Sequence, residues 1–116
     1  MIYISNAFSL QMLDEADLPV QPIISALSPE AVANEILGNE WTTAVGHPDM
    51  AMLITKQLGI VVLENRINVT LKPGDALYVA QVVGGRLPAG CTELPEGTRI
   101  AWRRVVLPEV YEGGSA

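Results

Sequence analysis

The sequence has 116 residues, the length of one ordinary domain, and 49% of them are hydrophobic against 17% charged. This composition is typical of a globular chain and excludes a disordered one. The formal net charge of -6 argues against non-specific binding to long nucleic acid, which needs a basic surface. A small anion held in one local basic pocket is still allowed.

The first half of the chain predicts two strands and one helix. Ile2–Ser5 is a short apolar run typical of a buried strand, and Val20–Leu27 is rich in β-branched residues. Pro22 places the beginning of that second strand at a sheet edge or a bend. Ser28 then provides a cap and Pro29 a suitable first residue for a helix that we expect to run from Pro29 to Leu37.

A second helix is expected after a short extended segment, Trp41–Val45. The residues from Pro48 to Leu58 have the apolar density of a helix, and Gly59 supplies its end. The next two apolar runs, Ile60–Leu63 and Ile67–Leu71, predict two further strands.

The last third of the chain predicts two long strands separated by a loop. Lys72–Asp75 is a turn, and Ala76–Val83 is the strongest strand pattern in the sequence. Gly84–Gly90 is a glycine-rich loop, and Arg99–Leu107 predicts the final strand. Residues 111–116 are expected to form a flexible tail.

These interspersed signals predict an α/β fold, with one domain over residues 1–110 and helices flanking a mixed sheet. A chain this small and this apolar also suggests an additional buried face, for which dimerisation is the simplest explanation. No basic and apolar leader and no run near the ~20 residues of a membrane span is present, so a soluble cytoplasmic protein is expected. With one cysteine, Cys91, and one histidine, no disulfide, metal site or cofactor is expected.

His47 is the first candidate for chemistry because it lies between a predicted strand and a predicted helix. A helix N-terminus presents unpaired N–H groups that attract anions, so a phosphate could lie beside the imidazole. An imidazole can then give a proton to a departing oxygen. The alternative is a solvent-exposed or capping histidine.

Two pairs of polar residues lie on or directly after predicted strands. Asn6 and Ser9 come after the first strand, where ligands often bind in open α/β sheets, although both could simply complete a turn. Arg86 lies in the glycine-rich loop and could hold a phosphate by paired hydrogen bonds. Gln81, on the strand before it, could contact a base edge or a phosphate. The alternatives are a solvated arginine and a half-buried amide.

Three other arginines are less distinctive. Arg66 follows Asn65 in a predicted turn and is most simply a surface residue. Arg103 and Arg104 are consecutive on a predicted strand and should point to opposite faces of the sheet.

Several of these segments together resemble the viral anti-CRISPR ring nucleases that counter type III immunity. The resemblance rests on the opening Met1–Ser9, on Gly46-His47, on the strand Leu77–Gln81 and on Arg86-Leu87, and it extends to about Val106. It implies a symmetric homodimer that binds cyclic tetra-adenylate across its axis. It also implies metal-independent cleavage to linear di-adenylates, which switches off the messenger-activated nucleases.

The resemblance also implies roles for individual residues. His47 would be the general acid and Arg86 would join it in catalysis. The remaining four would bind the ring: Asn6, Ser9, Arg66 and Gln81. The expected partners are therefore this ring and a second copy of the chain, in the cytoplasm of the host if the protein is viral, with no long nucleic acid and no membrane.

Two positions depart from the family pattern. Ala89 stands where many members have a glutamate, and Asp49 stands near a place where a small hydroxyl residue would suit a phosphate better. Both departures predict slower turnover more than weaker binding. They motivate a second hypothesis, a sponge that binds the ring without cutting it, and a third, an interaction protein that has kept only the fold.

Overall fold

The computed structural model describes residues 1–109, so the predicted tail at 111–116 lies outside the described residues. Within residues 1–109 the chain forms one α/β domain with a mixed sheet and two α-helices, as the sequence predicts, and the sheet has five strands. The strands are β1 (Ile2–Ser5), β2 (Ile23–Leu27), β3 (Thr42–Ala44), β4 (Ala76–Val83) and β5 (Arg99–Val106). The helices are α1 (Pro29–Ile36) and α2 (Pro48–Leu58).

The strands form one sheet in the order β2-β5-β4-β1-β3. Strands β4, β1 and β3 are parallel, whereas β5 runs antiparallel to both β4 and β2. Ser5, the last residue of β1, lies opposite Ala44 of β3 and Val79 of β4. The residues that follow β1 and β3 therefore begin at the same edge of the sheet, and β4 extends past them. We call this the carboxyl edge.

Each face of the sheet packs against a different kind of structure. Side chains alternate along a strand, so neighbouring residues belong to opposite cores. Tyr78 and Trp102 point to the helix face, where they join the core formed with α1 and α2. Leu77 and Val105 point to the opposite face, which is covered by irregular segments that include Phe8 and Leu71. We call this second side the loop face.

Local chemistry sets the ends of both helices where the sequence predicts them. Ser28 accepts a hydrogen bond from the Ala31 N–H (3.1 Å) at the start of α1, and that helix ends one residue before Leu37. Gly59 ends α2 in the left-handed conformation, with φ of 68°, which glycine adopts without strain. β2 begins directly after Pro22 and is an edge strand, as the proline indicates.

The two strands predicted at Ile60–Leu63 and Ile67–Leu71 are wrong. Residues 61–70 form no strand, and Leu71 makes only an isolated bridge with Leu13. Side chains replace the missing ladder: Thr43 Oγ1 donates to the Leu63 carbonyl (2.7 Å), and Asn65 Nδ2 donates to the Thr43 carbonyl (2.7 Å). These bonds hold the segment against the edge of β3 without regular pairing.

An ion pair joins α1 to the sheet on the helix face. Arg104 Nη1 donates to Glu35 Oε1 (2.6 Å), and the Tyr78 hydroxyl donates to the same oxygen (2.8 Å). Partial burial raises the pKa of Glu35, but the hydrogen bonds from Tyr78 and Arg104 outweigh it and hold that pKa below its usual value. Burial and the Glu35 hydrogen bond raise the pKa of Tyr78 to about 12.

The high pKa of Tyr78 makes stability depend on pH in the alkaline range. The unfolded chain releases this proton near its ordinary value of 10.0, whereas the folded protein keeps it until about 12. Above pH 10.0 the folded state therefore binds more protons than the unfolded state, and its stability falls as the pH rises. In urea unfolding, the free energy of unfolding should fall more steeply with pH for the wild type than for Tyr78→Phe across this range. Equal slopes would contradict the assignment.

Candidate active site at the carboxyl edge

Asn6, Gly46 and Arg66 are joined by hydrogen bonds at the carboxyl edge. The Gly46 N–H donates to Asn6 Oδ1 (3.3 Å), and Arg66 Nη2 donates to the Gly46 carbonyl (3.2 Å). Gly46 directly precedes His47 in the chain. Three of the predicted site residues, which are far apart in sequence, thus lie around Gly46: Asn6, His47 and Arg66.

Arg66 reaches this position because the residue before it is tied to β3. The Asn65 N–H donates to the Val45 carbonyl (2.8 Å), in addition to the side-chain bond from Asn65 to Thr43. The segment between the two predicted strands, where the sequence predicts a turn, therefore carries a guanidinium group to the end of β3. Arg66 is exposed and forms no ion pair with a carboxylate among residues 1–109.

His47 occupies the N-cap position of α2. Its backbone is extended, with φ of -132° and ψ of 130°, and Pro48 takes the first helical position. The imidazole is exposed and makes no capping hydrogen bond. A histidine with this placement has both ring nitrogens available to a ligand that binds at the start of the helix.

The loop that carries Arg86 is closed at its base by glycine. Gly84 has φ of 91°, and a Cβ atom there would lie 2.3 Å from the Gly97 carbonyl oxygen. Only glycine allows the two ends of the loop, at residues 84 and 97, to approach this closely. Arg86 itself is exposed.

Two hydrogen bonds hold the same loop against α2. Asp49 Oδ2 accepts from the Gly90 N–H (2.8 Å), and Lys56 Nζ donates to the Thr92 carbonyl (2.8 Å). Asp49 follows His47 by two residues, so the loop is fastened to the first turn of the helix that His47 caps. The Asp49 carboxylate is thus occupied by the loop, which gives this departure from the family pattern a structural role.

Gln81 and Ser9 are placed differently from the other candidates. Gln81 is exposed on the loop face and lines a groove of about 310 Å³ together with Asn6 and Arg103. Ser9 precedes a short 3-10 turn at Leu10–Met12, and its carbonyl accepts from the Met12 N–H (3.0 Å). Within residues 1–109 its hydroxyl makes no hydrogen bond to another candidate residue.

Arg103 lines the same groove, a placement that the sequence-based prediction did not assign to it. Arg103 and Arg104 do point to opposite faces of the sheet, as their alternation predicts, and Arg104 is the one held in the ion pair with Glu35. Strand alternation was the available signal. It separates the two arginines but does not tell which face carries a groove.

A sequence model of the STIV B116-like family matches residues 2–97. The chain belongs to the STIV B116-like family. Its fold is similar to that of B116 of Sulfolobus turreted icosahedral virus, with a TM-score of 0.74 and 23% sequence identity. The match covers 90% of this chain and 97% of that one. Among curated proteins, none matches the sequence significantly.

Membership in the STIV B116-like family confirms the resemblance to a viral family at the level of family and fold. All six predicted site residues lie within the matched range, since they fall between Asn6 and Arg86. Arg103 lies beyond the end of that range. The groove on the loop face is therefore built partly from residues that the family match does not include.

Neither a metal-type cluster nor a membrane-spanning helix is present in the part of the chain that the structure describes. Residues 1–109 contain no group of three or more His, Cys, Asp and Glu side chains placed to hold a metal ion. The described helices include none that is both long and apolar enough to cross a membrane.

Proposed function

We propose that this member of the STIV B116-like family is a metal-independent ring nuclease. A homodimer binds cyclic tetra-adenylate at its interface and cleaves it to linear di-adenylates, which switches off type III CRISPR signalling. The observation that carries the proposal is the hydrogen-bonded chain from Asn6 through Gly46 to Arg66, beside the unengaged imidazole of His47. This arrangement combines an acid, a cation and an amide at one edge.

Cleavage needs no nucleophile from the protein, because each ribose of the ring carries its own 2′-hydroxyl. The 2′-hydroxyl oxygen attacks the adjacent phosphorus and releases its proton to solvent water, the bond from phosphorus to the 5′-oxygen breaks, and a 2′,3′-cyclic phosphate forms. His47 gives its proton to the departing 5′-oxygen. Arg66 and Arg86 stabilise the charge on the phosphate, and Asn6 orients the ribose or the base. Positioning and electrostatic stabilisation are the large contributions in such a reaction.

The distribution of basic residues supports a short anionic ligand. Lys72 and Arg104 neutralise carboxylates within residues 1–109, whereas Arg66, Arg86 and Arg103 form no ion pair there. The net charge of -6 is therefore compatible with a local anion site. A two-fold dimer would present two copies of His47 to a ring of matching symmetry.

Ala89 is the basis for the slower turnover that we expect. It is exposed in the loop that carries Arg86, and its methyl group cannot orient a 2′-hydroxyl as a glutamate would. Asp49 holds the loop instead, since one oxygen of its carboxylate accepts from the Gly90 N–H. Binding depends on other groups, so a sponge that holds the ring uncut remains the second outcome to test.

The test is incubation of the purified protein with radiolabelled cyclic tetra-adenylate in EDTA. Conversion to linear di-adenylate is expected, because the nucleophile belongs to the RNA and the acid is an imidazole. Complete inhibition by EDTA that an added divalent ion reverses would contradict the metal-independent mechanism. Retention of an intact ring would identify a sponge, and failure to bind the ring would remove the proposed function.

A further inference from the structure

The loop face contains a groove at the carboxyl end of β1 and β4. Its volume is about 310 Å³, which is at the lower end of the range for small-molecule sites. The irregular segments cover the loop face at Leu77 and Val105 but leave Gln81 exposed. Four segments build the groove, and its lining residues of interest are Asn6, Phe8, Ile24, Gln81 and Arg103.

Arg103 is the cation of this groove. It lies on β5 opposite Val79, on the same face as Gln81, and its Nη1 donates to the Trp102 carbonyl (2.9 Å). None of the described lining residues is acidic, and Arg103 forms no ion pair within residues 1–109. In a protein of net charge -6, a half-buried guanidinium without a carboxylate partner is suited to an external anion.

The other lining residues define what else the ligand contains. Gln81 and Asn6 contribute side-chain amides, and the Nδ2 group of Asn6 can donate while its Oδ1 accepts from Gly46. Phe8 and Ile24 supply an aromatic and an aliphatic wall. A planar heterocycle with polar edges fits between such walls, because amides bond its edges and apolar groups cover its faces.

We propose that this groove binds a nucleotide, with Arg103 on its phosphate and the amides of Gln81 and Asn6 on its base. The identification of this nucleotide as one adenylate of the ring rests on the proposed function. The preference for a phosphate-bearing heterocycle rests on the groove itself. Asn6 belongs to both sites, since it lines the groove and also holds Gly46 beside His47. Arg103 is therefore a substrate-binding residue outside the segment that the family match covers.

The test measures binding of cyclic tetra-adenylate and of adenosine 5′-monophosphate to the wild type and to three variants. Arg103→Ala removes the cation, and Arg103→Lys keeps the charge without the planar fork. Arg99→Ala is the matched control, since Arg99 is on the same strand and the same face but does not line the groove. Sedimentation of each variant reports its assembly state.

Arg103→Ala is expected to weaken binding about tenfold or more, as for loss of a hydrogen bond to a charged group, with Arg99→Ala within about twofold of the wild type. Arg103→Lys should be intermediate. Equal ring affinity in Arg103→Ala and the wild type would overturn this inference and leave the proposed function intact.

A second outcome is that the protein binds the mononucleotide, through Arg103, but does not bind the ring. This result would support nucleotide binding in the groove and remove the proposed function. Equal losses of affinity in Arg103→Ala and Arg99→Ala would show a general effect of charge and overturn the assignment of Arg103 to the groove. A change of assembly state confined to Arg103→Ala would also overturn it, because the residue would then act through an interface.

Discussion

Replacement of His47 by alanine is expected to lower the single-turnover rate of ring cleavage at least ~10²-fold, within the range for loss of a general acid. The affinity for the ring should change little, because the cations that bind phosphate remain. The fold should be retained, since the His47 side chain makes no capping hydrogen bond that α2 would lose. Single-turnover cleavage and equilibrium binding, measured on the same preparation, check both parts.

Two companion variants sharpen this result. His47→Asn keeps a polar side chain that caps helices well but cannot act as the acid, so it should be as slow as His47→Ala. Arg86→Ala should weaken both binding and cleavage, because it leaves phosphate charge without a partner. A loss below threefold in His47→Ala would show that another group protonates the 5′-oxygen.

Replacement of Trp102 by alanine is expected to have the largest effect on stability, about 3–5 kcal/mol. Trp102 is 1% exposed and lies on β5 beneath α2, where its Nε1 donates to Gln57 Oε1 (3.0 Å). Its removal leaves a cavity in the core of the helix face and an unpaired amide. Such a loss is a large part of the total stability of a small domain. Urea unfolding followed by circular dichroism measures it.

Trp102→Phe keeps the prediction testable if the alanine variant does not fold. This variant keeps an aromatic ring, so its free energy of unfolding should fall by less than half as much as that of Trp102→Ala. Leu10→Ala is the control, since Leu10 is 79% exposed and should change the free energy of unfolding by no more than about 0.5 kcal/mol. Equal stability of Trp102→Phe and Trp102→Ala would contradict the packing described for this residue.

Local signals in the sequence were sufficient to predict the two helices and the positions of their ends. Ser28, Pro29 and Gly59 act through hydrogen bonds and backbone preferences within a few residues, so their effects do not depend on the rest of the fold. The position of His47 before α2 followed from the same kind of signal. The sequence also predicted that Asn6 follows the first strand, where ligands often bind, but its proximity to that helix depends on the parallel pairing of β1 with β3.

Longer-range features could not be predicted from the sequence. The apolar runs at 60–63 and 67–71 have the composition of strands, but whether they pair depends on competition from Thr43 and Asn65, which is a tertiary matter. Likewise, alternation separates Arg103 from Arg104, but the choice between groove and ion pair depends on which distant segments cover each face. The groove itself draws its lining from four separate segments.

The position of β1 between β3 and β4 also bears on when the proposed ligand site can form during folding. The first strand of the chain has β3 on one side and β4 on the other, so its pairing with β4 must wait until Ala76 and the residues after it are available. Such long-range closure is slow compared with the formation of helices and hairpins. Asn6 and Gln81 come together only in that step. Regain of ring binding after dilution from denaturant should therefore coincide with closure of the sheet, and nascent or partly folded chains should be unable to bind the messenger.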